Sequence, residues 1–235
     1  MLSRRMFCGC VSLALLPSLV TRANALPASC GVMTRERQNA KTPADALARL
    51  KAGNERFAAG NIVNCDLMQQ VKDTAAGQAP FAVVVGCIDS RVPPELVFDQ
   101  SIGDIFCARI AGNFVNTDII GSLEFATKLA GARAVVVLGH SECGAVKGAI
   151  DNAKLGNLTT TLANIRPAVK ATKASGEHTS KNATFVQAVA ETNVRMAVAK
   201  LTAKSPVMKQ LVAAGDLTIV GAMHDLATGK VSWLG

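Results

Sequence analysis

The sequence lacks the features of a nucleic-acid-binding or membrane-spanning protein. Its 235 residues include no tyrosine and one tryptophan, and aromatic residues make up only 4% of the chain. It has no basic run interleaved with aromatic side chains, so nucleic acid is not an expected partner. The apolar run over residues 10–20 is too short to span a bilayer, so we expect no membrane anchor.

The first 25 residues resemble a removable export signal peptide. A basic stretch around Arg4 and Arg5 is followed by the apolar run over residues 10–20 and by a small-x-small cleavage signal, Ala-Asn-Ala, over residues 23–25. The paired arginines resemble the twin-arginine export signal, and an ordinary secretion signal is the alternative. We therefore expect a periplasmic or secreted protein that begins near Leu26.

The cysteines that follow the export signal do not form a disulfide framework. Five remain, an odd number at wide spacings: Cys30, Cys65, Cys87, Cys107 and Cys143. Cys30 and Cys65 lie in polar, loop-like sequence, and we hypothesise that they pair in an oxidising compartment. Cys107 lies in an apolar segment and is predicted to be a small buried hydrophobic residue.

One domain is predicted after a short terminal segment. Residues 26–41 lack a periodic apolar pattern, and we expect a flexible mature N-terminus there. A helix is predicted to begin at Thr42, because Thr42 can cap it, Pro43 suits the first helical position and Asp45 places an acid in the first turn. No repeat, low-complexity tract or linker divides residues 42–235, which are predicted to form a single catalytic domain.

Apolar strands and helices alternate along this domain. Strands are predicted at residues 81–85, 105–110, 134–138, 217–222 and 230–234. Helices are predicted at residues 43–59, 67–76, 118–129, 143–152, 158–173, 184–203 and 206–213, with a short one from Pro93. This order predicts an α/β fold with a mostly parallel central sheet flanked by helices. An N-terminal helical arm and an antiparallel C-terminal edge strand complete the prediction.

Two short motifs follow predicted strands. Cys-Ile-Asp-Ser-Arg occupies residues 87–91, and His-Ser-Glu-Cys occupies residues 140–143. The carboxyl ends of parallel strands are where α/β proteins place their active sites. Two thiolates and one imidazole make a zinc ligand set with one position open, as in catalytic sites. The residues alone leave open that Cys87, His140 and Cys143 are unrelated core residues.

Together the two motifs resemble those of the β-class carbonic anhydrases. The similarity runs from about residue 43 to the end of the chain. It includes Arg-Val-Pro-Pro-Glu over residues 91–95, Gly-Asp-Ile-Phe over 103–106, Arg-Ile-Ala-Gly-Asn over 109–113 and the segment 221–229. The resemblance implies reversible hydration of carbon dioxide to bicarbonate and a proton, through attack by zinc-bound hydroxide.

The resemblance also implies the roles of the motif residues. One Zn²⁺ per subunit is expected on Cys87, His140 and Cys143, beside a dyad formed by Asp89 and Arg91. Asp89 is expected to orient the nucleophile while Arg91 fixes Asp89 by a bidentate pair. In some family members the aspartate becomes the fourth zinc ligand at lower pH. If Asp89 does so, activity should be low near neutral pH and rise with pH.

Further expectations concern the substrate pocket. The resemblance places Gln78, Gly86, Val92, Phe106 and Phe125 around the substrate, with Gln78 acting across a subunit interface. It implies a homodimer or homotetramer. The alternative is a purely structural role, with Gln78 a polar residue at a helix end and the two phenylalanines core residues.

The sequence departs from the family at an inhibitory bicarbonate site found in some bacterial members. That site is built from Trp, Arg and Tyr, and the matching positions here are Val84, Arg109 and His224. We therefore expect no cooperative inhibition, and sigmoidal inhibition in a bicarbonate titration would contradict this. Two other functions remain open: hydrolysis of carbonyl sulfide or carbon disulfide on the same site, and a non-catalytic protein whose zinc only supports folding.

Overall fold

A five-stranded sheet forms the centre of the computed structural model, which describes residues 30–234. The strands are β1 Ala82–Gly86, β2 Ile105–Arg109, β3 Ala134–His140, β4 Thr218–His224 and β5 Val231–Leu234. Their spatial order is β2-β1-β3-β4-β5. The first four strands run parallel, and β5 pairs antiparallel with β4. The predicted sheet with an antiparallel C-terminal edge strand is confirmed.

Helices cover both faces of this sheet. They are α1 Arg35–Asn39, α2 Pro43–Ala58, α3 Leu67–Thr74, α4 Pro94–Val97, α5 Thr117–Glu124, α6 Gly144–Ile150, α7 Leu158–Ala163, α8 Arg166–Ala171, α9 Ala183–Lys204 and α10 Pro206–Ala213. Because successive strand residues point to opposite faces, Val83 and Val85 belong to the same core as Val194 of α9. Val84 faces the other core, with Leu50 of α2. Both faces of β1 are therefore buried, as its continuous apolar sequence predicts.

Two predicted helices are interrupted. The helix predicted over residues 118–129 ends as an α-helix at Glu124 and continues as a π-helical turn, Phe125–Leu129. The helix predicted over residues 158–173 is divided into α7 and α8. Pro167 lies in the first turn of α8, where its missing N–H costs nothing, whereas it would break a continuous helix.

The prediction of a flexible segment over residues 26–41 is wrong for the part that the structure describes. This part contains helix α1, and the side chain of Gln38 is 1% exposed. Its Nε2 donates to the carbonyls of Pro80, at 2.6 Å, and Ala130, at 2.8 Å. Hydrogen bonds to distant residues hold this segment in place. Because such contacts do not require a periodic apolar pattern, the sequence of the segment does not reveal them. The predicted signal peptide, residues 1–25, lies outside the described residues.

A disulfide joins Cys30 to Cys65, as hypothesised. It ties the segment before α1 to the loop before α3 across 35 residues of sequence. Asp104 adds a second tie, because it accepts a hydrogen bond from the Met33 amide at 3.1 Å and forms a salt bridge with Arg49. Among residues 30–234, no helix has the length and apolar character needed to cross a membrane.

Removing this disulfide should destabilise the chain without touching the sheet. Closing a 35-residue separation restricts the unfolded chain, and such a cross-link contributes roughly 2 to 4 kcal/mol. The Cys30→Ala/Cys65→Ala chain is therefore expected to melt roughly 5 to 15 °C below the parent. Adding a reductant should lower the parent to the same Tm and leave the double variant unchanged. Equal melting of parent and variant before reduction would show that the disulfide contributes nothing.

Candidate metal centre

Three side chains from separate parts of the sequence meet at the carboxyl end of the sheet. Strands β1 and β3 are neighbours, with Gly86 aligned with Leu138, so the residues that follow these positions are brought together. Cys87 follows β1, His140 is the last residue of β3, and Cys143 is the N-cap residue of α6. Their ligand atoms all lie within 4.8 Å of one another, and all three residues are buried.

The imidazole of His140 is prepared for a metal ion. Its Nδ1 lies 2.8 Å from the carbonyl oxygen of Ser141, a contact that places the proton on Nδ1. Its Nε2 is buried and has no hydrogen-bond partner. A buried nitrogen without a partner is costly, and a cation would satisfy its lone pair. In tetrahedral zinc sites with ligand bonds of about 2.0 to 2.3 Å, ligand atoms lie less than about 4 Å apart, so this cluster fits zinc with little movement.

The two thiols act as one proton-sharing pair. A hydrogen bond from the Cys143 thiol lowers the pKa of Cys87, and the same bond raises the pKa of Cys143. The backbone amide of Gly112 also donates to the Cys87 sulfur, at 3.3 Å. Binding of a divalent cation to both sulfurs would release the protons that they carry.

Asp89 and Arg91 form the dyad that the resemblance implies. Arg91 Nε donates to Asp89 Oδ1 at 2.9 Å, and a terminal guanidinium nitrogen donates to Oδ2 at 2.7 Å. These hydrogen bonds from Arg91 hold the pKa of Asp89 well below its usual range. Asp89 Oδ2 lies 3.9 Å from Nε2 of His140. An ionised carboxylate is thus fixed beside the open side of the ligand set.

Arg109 holds the loop that carries this dyad. Its guanidinium donates to the carbonyl of Cys87 at 2.8 Å and to the carbonyl of Asp89 at 2.6 Å. Val84, at the position of the family tryptophan, is fully buried. His224 is 3% exposed and aligns with His140 in the register of β3 and β4. With Arg109 occupied by loop carbonyls, absence of cooperative bicarbonate inhibition stays our prediction.

The predicted pocket residues are divided between two regions. Gly86 and Val92 flank the loop over residues 87–91, which carries Cys87 and Asp89. The Val92 amide donates to the Asp89 carbonyl at 3.0 Å. Gln78 is exposed and precedes the amino end of β1, whereas Cys87 follows its carboxyl end. Phe106 and Phe125 contact edge to face at 6.2 Å between ring centroids and line a groove of ≈ 550 Å³ on the open edge of β2. Cys87 and Asp89 do not line this groove.

Sequence reasoning missed two residues that support the ligands, Ser141 and Gly112. Ser141 acts through its backbone carbonyl and Gly112 through its backbone amide. Backbone contacts of this kind leave no mark in the residue type. The other described histidine, His178, is exposed and stacks on Phe185 at 4.3 Å between ring centroids, outside this cluster.

These features define a class: α/β proteins with a Cys-His-Cys cluster that could hold a metal ion at the carboxyl ends of adjacent parallel strands. Comparison with known proteins narrows the class. The carbonic anhydrase family model matches residues 82–231. Carbonic anhydrase 2 of Mycobacterium tuberculosis is 35% identical over 194 residues, which are 80% of this chain and 91% of that protein.

Solved structures agree with the sequence comparison. A β-carbonic anhydrase of Aspergillus fumigatus superposes with a TM-score of 0.63 at 27% identity, covering 81% of this chain and 89% of that one. One of two tetrameric β-carbonic anhydrases from Sordaria macrospora gives a TM-score of 0.60 at 26% identity, covering 72% and 90%. The chain belongs to the β class of the carbonic anhydrase family, whose members hydrate carbon dioxide.

Proposed function

We propose that this chain interconverts carbon dioxide and bicarbonate with a zinc ion held by Cys87, His140 and Cys143. The observation that carries the proposal is the unpartnered, buried Nε2 of His140 within 4.8 Å of both sulfurs. Two thiolates and an imidazole suit zinc, and three protein ligands leave a fourth position free for reaction. The family is metal-dependent, which supports a metal here, and the donor set favours zinc.

In the proposed reaction, water adds to carbon dioxide and a proton is released to solvent. Bound zinc supplies the Lewis acidity that makes hydroxide available near neutral pH. Because two thiolates cancel the charge of Zn²⁺, this acidification is weaker than in an all-histidine site. Asp89 compensates by accepting a hydrogen bond from the nucleophile and directing its lone pair toward the carbon. Arg91 keeps the carboxylate ionised and in place.

Direct assays test the substrate. Zinc-replete protein should accelerate CO2 hydration in stopped-flow measurements, with a rate proportional to the bound zinc. The relatives reported above are carbonic anhydrases, so we propose carbon dioxide rather than carbonyl sulfide or carbon disulfide. If the protein released sulfide from either of these compounds and hydrated CO2 no faster than the uncatalysed reaction, the hydrolase alternative would replace the proposal.

We expect the rate of hydration to rise with pH. Loss of a proton from Asp89 cannot be the cause of this rise. Hydrogen bonds from Arg91 lower the pKa of Asp89, so its carboxylate stays ionised across the neutral range. If the carboxylate leaves Arg91 for the fourth ligand position, hydroxide must displace it. We therefore expect low activity near pH 6.5 that rises toward pH 9, measured as kcat/KM. A flat profile over this range would exclude the closed state.

We propose that a second copy of the chain completes the substrate pocket. Gln78 precedes the amino end of β1 and Cys87 follows its carboxyl end, which supports a role for Gln78 at the site of a neighbouring subunit rather than of its own chain. Phe125 is 51% exposed beside the unpaired edge of β2, where an apolar groove would be covered by a partner. Light scattering on a sizing column should give a dimer or a tetramer. A monomer with full activity would contradict this pocket.

We propose export of the mature chain to the periplasm or beyond, through the twin-arginine-type signal. The Cys30–Cys65 bond supports this, because disulfides persist in oxidising compartments. N-terminal sequencing of protein recovered outside the cytoplasm should begin near Leu26. Recovery of active chain only from the cytoplasm, still beginning at Met1, would contradict export.

A further inference from the structure

Helix α9 carries one polar residue among those that it buries in the core. Its buried residues are Phe185, Val186, Val189, Ala190, Asn193, Val194, Ala197 and Leu201. Asn193 is 4% exposed, and its Nδ2 donates to the carbonyl of Gly112 at 2.8 Å. A buried amide needs a hydrogen-bond partner, and the one that it finds is 81 residues away in the sequence.

Gly112 lies in the turn that follows β2 and contacts the metal centre. Its own amide donates to the Cys87 sulfur at 3.3 Å. Its φ of +82° is in the left-handed region, and a Cβ there would lie 2.3 Å from a methyl carbon of Ile165. The two peptide groups that flank the Gly112 Cα are therefore fixed by backbone conformation, close packing and the side-chain amide of Asn193. Only one of these, the Asn193 contact, is a hydrogen bond to the Gly112 carbonyl.

We propose that Asn193 is a positioning residue for the metal centre. By holding the Gly112 carbonyl, which belongs to the following peptide group, it restricts rotation about the Gly112 backbone bonds and so keeps the Gly112 amide, in the preceding peptide group, directed at the Cys87 sulfur. An N–H···S bond withdraws electron density from the sulfur, so the thiolate cancels less of the charge of a bound cation. This matters here because two thiolates already reduce the acidity of bound water. The inference rests on the proposed ligand set but not on the proposed substrate.

A comparison between two contacts from the same helix tests this role. Lys200 of α9 also donates to a carbonyl of the 112–115 segment, that of Val115, and also at 2.8 Å. Within residues 30–234, Val115 forms no hydrogen bond with Cys87, His140 or Cys143. Asn193→Leu and Lys200→Met therefore each remove one donor from α9, and only the first should affect the sulfur of Cys87.

The readout is the spectrum of the Co²⁺-substituted protein. In Asn193→Leu, the sulfur-to-cobalt charge-transfer band should move to lower energy, because the thiolate becomes more electron-rich. Zinc affinity, measured by competition with a chelator, should fall about tenfold. Asn193→Ala is the second variant, since it removes the amide without placing a bulkier apolar side chain beside the cavity of ≈ 300 Å³ that Asn193 lines. Lys200→Met should leave both band and affinity unchanged.

Several outcomes would overturn the inference. An unchanged band and affinity in a folded Asn193 variant would do so, and so would an equal change in Lys200→Met. Failure of both Asn193 variants to fold would show that the residue serves core packing instead. None of these readouts uses hydration activity. If the Asn193 variants show the band shift but the zinc-loaded parent does not hydrate CO2, only the proposed function is overturned.

Discussion

The Cys143→Ser chain is expected to lose its metal ion and, with it, about three orders of magnitude in the rate of CO2 hydration. Cys143 supplies one of three ligands, and its sulfur is buried at the start of α6 beside that of Cys87. A serine hydroxyl is a poor ligand at neutral pH because it stays protonated. The remaining two ligands cannot hold zinc against dilution or a weak chelator. Metal analysis and stopped-flow rates on the same preparation give the result.

The matched control is Cys107→Ser. Cys107 is the third free cysteine of residues 30–234, and it lies half-buried on β2, outside the ligand cluster. Its replacement also removes one thiol from the chain but should leave the zinc content unchanged. Zinc content is the readout for this control, because Cys107 lines the groove beside Phe106 and Phe125. If Cys143→Ser kept one zinc per chain and the parent rate, Cys143 would not be a ligand. Equal losses in both variants would indicate general destabilisation instead.

Replacing Asp89 by asparagine should lower kcat/KM by about 100-fold while one zinc per chain is retained. The substitution removes the charge that pairs with Arg91 and offers an amide donor where the nucleophile needs an acceptor. Asp89 is not one of the three convergent ligands, so metal content should not change. If the carboxylate also closes the site at low pH, the remaining activity of Asp89→Asn should vary less with pH than that of the parent.

Asp151→Asn is the corresponding control. Asp151 is exposed and accepts a hydrogen bond from Ser180 at 2.7 Å, at the opposite end of α6 from Cys143. Its kinetics should match those of the parent. If a zinc-loaded Asp89→Asn chain hydrated carbon dioxide at the parent rate, the dyad would have no role in catalysis. The proposed role of Asp89 would then be wrong.

Local sequence was sufficient to predict the sheet. Strands β1 and β3 are buried on both faces, so their continuous runs of valine predict them without tertiary information. The helix from Pro43 was predictable for the same reason, since Thr42 and Asp45 form its capping box within four residues. Signals of this kind lie in adjacent residues and do not depend on the rest of the fold.

Features that depend on distant contacts were not predictable. The segment before α2 is ordered by hydrogen bonds from Gln38 to residues about 40 and 90 positions away. The break between α7 and α8 is different, because Pro167 marks it in the local sequence and the prediction of one continuous helix was wrong there. At the site, Cys87, His140 and Cys143 could be paired by motif, whereas the contacts of Gly112 and Ser141 involve only backbone atoms.

X-ray absorption at the zinc edge of purified parent protein tests the central claim most directly. The account predicts two sulfur neighbours at about 2.3 Å and two nitrogen or oxygen neighbours at about 2.0 to 2.1 Å, with one zinc per chain. Four sulfur neighbours, or none, would contradict a site made from Cys87, His140 and Cys143. So would metal-free protein that hydrates carbon dioxide at the rate of the zinc-loaded form.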